Sequence, residues 1–137
     1  MRELSIRGRT FPSDLNHNGN AFGGWIMSKM DKAASIAVER VIFCDAVTVF
    51  VTDMHFKHPV NNGDVFSVYT EVVSIGNTSI KVHVDFMITL KETLKDVSVT
   101  HADFTFVALD KKRNPMKIRN VLRDELSEHI NKLLDTK

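Results

Sequence analysis

Hydrophobic and polar positions along the chain change period twice, and each change marks an element. Residues 3–9 alternate, with Leu4 and Ile6 between polar neighbours, and predict a short first strand. Residues 11–24 are dense in turn-formers (Phe-Pro-Ser-Asp-Leu-Asn-His-Asn-Gly-Asn-Ala-Phe-Gly-Gly), and a loop of that length between regular elements points to function or mobility. From Gly24 to about Val41 the spacing turns helical. Met27, Asp31, Ala34, Val38 and Val41 recur three and four apart with Met30, Ala33 and Ala37 alongside, so the helix is apolar over much of its circumference and should be engulfed by other structure. After Asp45 the period is two. Residues 46–57 and 65–74 predict strands, with the turn signal Asn61-Asn62-Gly63-Asp64 between them. In the next run Ile80, Val82, Val84, Phe86, Ile88 and Leu90 face one way and Lys81, His83, Asp85, Met87, Thr89 and Lys91 the other. A last strand sets Ala102, Phe104, Phe106 and Ala108 on one face, and residues 121–134 read as an amphipathic helix.

Strand, long loop, helix and four strands joined by short links predict an α+β fold, one central helix wrapped by a curled antiparallel sheet of about five strands. A single domain over residues 1–115 is expected, followed by a helical tail over 116–137, with no linker, repeat or low-complexity segment. The segment 46–57 carries apolar groups on both faces, Val47, Val49 and Val51 against Phe50, Met54 and Phe56. In so small a domain this predicts that a partner subunit covers one face.

Composition narrows the classes. Eighteen Lys and Arg balance seventeen Asp and Glu, leaving a formal charge of +1, too little to draw nucleic acid or an anionic membrane onto the whole surface. Cys44 is the single cysteine, so no intrachain disulfide or cysteine-built zinc site is available. The six histidines are scattered without ligand spacing, and no metal site is expected. The first residues lack the apolar core of a signal peptide and no run is long enough to span a bilayer; a cytoplasmic protein is expected.

Asp31 is the anomaly, a carboxylate on a stripe of Met27, Ala34 and Val38. Burying a lone carboxylate costs several kcal/mol as an order of magnitude unless it is paired, bonded or protonated, so it is either a snorkelling edge residue or a base. Gly23-Gly24 opens the helix, where free N–H groups can stabilise an anion or merely turn the chain. Asn16 stands on the loop, as a turn residue or as an amide that orients water or a carbonyl. Gly24 and Asp31 share a helical face but lie about 10 Å apart along the axis, so a site using both needs an antiparallel partner helix across a two-fold axis.

These residues fall within Pro12-Ser13-Asp14-x-Asn16-x-x-Gly19-Asn20-x-Phe22-Gly23-Gly24-x-x-Met27-x-x-Met30-Asp31, which closely resembles the signature of YciA-type acyl-CoA thioesterases. The resemblance continues through Phe56-x-x-Pro59-Val60-x-x-Gly63-Asp64, Gly76-x-Thr78-Ser79-Ile80-Lys81 and Phe104-Thr105-Phe106-Val107-Ala108, as far as about Pro115. It implies the hotdog fold, hydrolysis of acyl-CoA to free acid and CoA without a cofactor, and dimers built into a trimer of dimers. It puts the catalytic carboxylate on Asp31 and the loop amide on Asn16 of the other chain, with Gly24 polarising the thioester carbonyl. Gly23, Gly76, Thr78, Ser79 and Lys81 are the candidate CoA contacts, and Lys81 or Lys111-Lys112-Arg113 would meet the nucleotide's phosphates. Two alternatives stand beside it: a hotdog hydratase or dehydratase acting on acyl thioesters through a His paired with an acid, and a hotdog that binds acyl-CoA without catalysis. Asp14-Leu15-Asn16-His17 superficially resembles the hydratase loop but has His17 and Gly19 where that loop has Pro and His.

Overall fold

In a computed structural model that describes residues 2–136, five strands and one long helix account for most of the chain. The strands are β1 (Glu3–Arg9), β2 (Asp45–Val51), β3 (Val65–Ile75), β4 (Ser79–Thr89) and β5 (Asp96–Leu109); the helices are α1 (Gly23–Glu39) and α2 (Glu128–Asp135). All pairings are antiparallel and the order across the single sheet is β1-β3-β4-β5-β2. This is the hotdog arrangement, α1 lying in the hollow of a curled sheet. No helix among the described residues is long and apolar enough to cross a membrane.

The alternation in β4 sets the two faces of the sheet. Ile80, Val82, Val84, Phe86 and Ile88 are buried and turn toward α1, while Lys81, His83, Asp85 and Met87 lie part-exposed on the convex face. Ile26, Met30, Ala33, Ala34 and Val38 supply the buried side of α1, and the two alanines let the helix settle onto the strands. An aromatic stack pins its N-terminal end. Phe66 and Phe86 lie parallel at 5.3 Å, and Trp25 meets Phe66 edge-on at the same centroid distance. Gly8 on β1 lies against the Phe66 ring, where an added Cβ would come within 2.9 Å of it. The tail closes one end of the core with Ile118, Val121, Ile130 and Leu134.

Three expectations need correction. The strand expected over 46–57 stops at Val51: a bulge between Thr48 and Phe50 bends it, and residues 52–57 follow β5 through isolated bonds rather than a ladder, among them Thr52 N–H to the Asp103 carbonyl and Lys57 N–H to the Val99 carbonyl. β2 and β3 are consecutive but not neighbours, because residues 52–64 carry the chain from one edge of the sheet to its other half. The tail helix is short. Residues 121–123 instead bond to the end of α1 (Phe43 N–H to the Val121 carbonyl, Arg123 N–H to the Val41 carbonyl), and the helix begins only where the Ser127 hydroxyl accepts the Ile130 N–H.

Candidate active site

Asp31 lies half-buried at the edge of the helix stripe, on the flank of α1 that faces β2. Ala34 and Val38 on that stripe are buried, but Met27 is 39% exposed, so the stripe expected from the sequence runs out of the core at the N-terminal half of the helix. Thr48 takes up the carboxylate. Its hydroxyl donates to Asp31 Oδ1 at 2.5 Å, leaving Oδ2 available to a further donor. Thr48 pairs with Phe106, and Phe106 with Ile80, so its side chain points to the same face as those core residues. Sequence reasoning missed Thr48, since only the pairing of β2 with β5 brings it under the helix.

Asn16 is held by its own loop. Its Oδ1 accepts from the N–H groups of Asn18 at 2.9 Å and Asn20 at 3.3 Å, its backbone N–H donates to the Asn20 carbonyl, and Gly19 makes the turn at φ +85°. Both acceptor positions of the amide oxygen are thereby used, and Nδ2 makes no hydrogen bond among the described residues. The side chain has only donors to offer. The loop is tied to the helix N-terminus by Phe22 N–H to the Asp14 carbonyl and to the 61–64 turn by Asn20 Nδ2 to Asn61 Oδ1.

At the start of α1 the N-cap is Phe22, which supplies no side-chain acceptor. The N–H groups of Gly23, Gly24 and Trp25 make no hydrogen bond among the described residues, and nothing lies within 4 Å of where a Cβ of Gly24 would stand. Gly23 packs under the Phe56 ring. A cleft of about 350 Å³ opens there, lined by Asn20, Gly23, Ile26, Phe56, His58 and Val60. A separate cavity of about 560 Å³, between the C-terminal half of α1 and the tail, is lined by neither Asp31 nor Asn16.

Within one chain the two halves stay apart. Asn16 and the open helix end form one cluster; Asp31 and Thr48 form another, about 10 Å further along the axis. The turn of Gly76, Thr78 and Ser79 is a third group. Gly76 N–H donates to the Ser79 carbonyl and Ala108 N–H to the Thr78 carbonyl, at the end of the sheet that also carries residues 110–114. Lys81, level with Thr105 and Phe50, is on the convex face, opposite Asp31.

Other nucleophiles and bases are poorly placed. Desolvation pushes the thiol pKa of Cys44 up, away from thiolate formation. His17 is exposed and pairs with no carboxylate among the described residues, so the His–acid pair of a hydratase is not assembled there. The one His–Asp pair among them, His83 with Asp103 at 2.7 Å, lies on the convex face. No group of three or more His, Cys, Asp or Glu side chains among the described residues is arranged to hold a metal.

The model of the Thioesterase superfamily matches residues 18–89, more than half of the chain, including the start of α1, Asp31 and Thr48. The chain belongs to the thioesterase superfamily. Among superfamily relatives, an acyl-CoA thioester hydrolase of Haemophilus influenzae is 38% identical over 128 residues, 91% of this chain and 81% of its own length. The acyl-CoA thioester hydrolase YciA of Escherichia coli is 34% identical over 118 residues, 82% of this chain and 88% of its own. A crystal structure of a hexameric broad-specificity acyl-coenzyme A thioesterase, in an Asp-to-Ala mutant form, superposes with a TM-score of 0.85 at 34% identity, over 98% of this chain and 96% of that one.

Proposed function

We propose that this thioesterase-superfamily chain hydrolyses acyl-CoA to a free acid and CoA, at a site shared between two protomers. One observation carries the reading. Asp31 is held by Thr48 at the uncovered edge of β2, while the open N–H groups it would work with lie seven residues back along the same helix. Among the described residues β2 pairs only with β5 and leaves its other edge free, with Val49 55% and Phe50 61% exposed. Pairing that edge with its own copy about a two-fold axis perpendicular to the sheet keeps both helices on one face and runs them antiparallel. The helix start and Asn16 of each chain then approach Asp31 of the other. Met27, Phe22 and Phe56, all exposed in the single chain, give this contact an apolar lining. Three such dimers would form a hexamer, the state of the superposed thioesterase.

The chemistry follows from the donors and acceptors. The thioester oxygen takes the Gly24 N–H and the Asn16 amide N–H, whose charge-stabilising effect grows as the carbonyl becomes tetrahedral. Asp31 Oδ2 of the other chain takes a proton from water as its oxygen attacks the carbonyl carbon. Collapse breaks the C–S bond, and CoA leaves as a thiolate that the proton from Asp31 or solvent then neutralises. The turn at Gly76, Thr78 and Ser79 together with Gly23 are the CoA contacts of this reading; Lys81, expected among them, lies on the convex face opposite Asp31 and is left out. A substrate made inside cells and a single unpaired cysteine fit a cytoplasmic setting.

Thiol release by the purified protein across short, long and aromatic acyl-CoAs tests the reading; hydrolysis of none of them overturns it. Thr48→Val tests the local geometry. Losing the hydroxyl leaves Asp31 Oδ1 without its donor and frees the carboxylate to rotate, so kcat should fall about tenfold with KM little changed. A wild-type kcat would remove Thr48 from the mechanism.

A further inference from the structure

A third concavity, of about 590 Å³, lies on the convex side of the sheet at the end carrying the 61–64 turn, and Arg7, Arg9 and Lys91 all line it. Arg7 and Arg9 are two apart on β1 and so point the same way. Charged residues on an edge strand ordinarily guard it against stray pairing, which accounts for the charge but not for its convergence on one hollow with a lysine from the β4–β5 hairpin. Each arginine is positioned by a neutral acceptor: Arg7 Nε donates to Ser67 Oγ at 3.0 Å, and Arg9 Nη1 to the Gly63 carbonyl at 2.9 Å. Neither they nor Lys91 form an ion pair among the described residues. Two carboxylates share the hollow, and each already accepts a bond elsewhere: Asp64 from the Asn61 N–H and Asp96 from the Thr89 hydroxyl. The three cations outnumber the two carboxylates and leave the hollow net positive. Guanidinium groups held in place without a direct ion pair and with free N–H groups facing one space are the donor set that phosphate oxygens match.

We propose that Arg7, Arg9 and Lys91 form a phosphate-binding site, taking a phosphoanion such as the diphosphate of a nucleotide. Two sources carry that chemistry, the nucleotide end of CoA itself and a free nucleotide. Asn20–Asn61 ties this end of the sheet to the Asn16 loop, so the hollow and the helix start belong to one end of the molecule. The CoA source rests on the thioesterase reading; the phosphate site does not.

Calorimetric titration of the intact oligomer with inorganic pyrophosphate at low salt tests the site. Wild type should bind, an Arg7→Gln/Arg9→Gln variant about tenfold or more weakly, and Lys132→Gln on the tail helix as wild type. Lys91→Gln, at a side chain without a hydrogen bond among the described residues, should also weaken binding and keeps the test readable if the double variant misfolds. KM then separates the sources. A rise for acyl-CoA but not for the matching acyl-pantetheine assigns the site to the substrate's nucleotide, whereas unchanged KM with lost pyrophosphate affinity assigns it to a free phosphoanion. Undetectable pyrophosphate binding by wild type, or undiminished binding by the variants, overturns the proposal. A protein that binds pyrophosphate but hydrolyses no acyl-CoA keeps this site and loses the proposed activity.

Discussion

Asp31→Asn should leave the assembly intact and lower kcat by about three orders of magnitude. The amide matches the carboxylate in size and still accepts the Thr48 hydroxyl bond through its oxygen, so packing of α1 on β2 survives. What disappears is the atom that takes the water's proton. General-base assistance is worth about 100- to 10,000-fold, and the residual rate comes from the helix-terminal and Asn16 donors, which the substitution does not touch. KM should change little, because Asp31 meets the water rather than the CoA handle. Thiol release within about tenfold of wild type, from an Asp31→Asn protein of unchanged oligomeric state, would take the carboxylate out of the mechanism.

Phe50→Asp should give a folded monomer without measurable activity. Phe50 lies on the free edge strand and is 61% exposed in the single chain, so its loss costs the monomer core little. In the pairing proposed for β2 the two-fold axis brings each substitution into the contact twice. On the convex face, where Phe50 lies level with Lys81, the substitution replaces the contact of two phenyl rings across the axis by two like charges. At about 1.5–3 kcal/mol for each ring the dimer loses roughly 3–6 kcal/mol, about two to four orders of magnitude in its association constant. The monomer retains Asp31 and Asn16 but cannot bring them together. Light scattering and thiol release measure both consequences on one sample. A Phe50→Asp protein that remains an active dimer would place the interface on another surface.

How far such expectations can be drawn from sequence depends on whether a signal is local. The alternation from Ile80 to Ile88 survives intact as β4 because every second side chain meets α1, and the same local rule gives β1 and the body of α1. Asp31 was legible because a carboxylate among Met27, Ala34 and Val38 breaks a helical pattern, although the pattern itself does not say that Met27 would lie outside the core. β2 was overextended because apolar spacing continues past Val51, whereas the bulge after Thr48 is set by its pairing with β5. Its place at the sheet edge, and hence the contact from Thr48 to Asp31, depends on which strands pair across roughly sixty residues of sequence, where periodicity is silent. The C-terminal helix was overextended for a related reason: residues 121–123 give their backbone groups to the end of α1 before Ser127 can start a helix. Asn16 was legible as a residue but not in its orientation, since the use of Oδ1 by Asn18 and Asn20 is visible only once the loop is folded.

The shared site is tested most directly by mixing two inactive proteins. An Asn16→Ala protomer damages the donor half of one site and an Asp31→Ala protomer the base half of another. In a mixed dimer one site receives both damaged residues, while the other receives intact Asn16 from one chain and intact Asp31 from its partner. Co-refolding in equal amounts places roughly half of the dimers in the mixed state, because two-fold pairing does not distinguish the protomers. With one intact site of two in those dimers, thiol release should recover to about one quarter of wild type, measured before and after mixing with exchange confirmed by mass spectrometry. Confirmed exchange with no recovery of activity would contradict a site built from Asn16 and Asp31 of different chains.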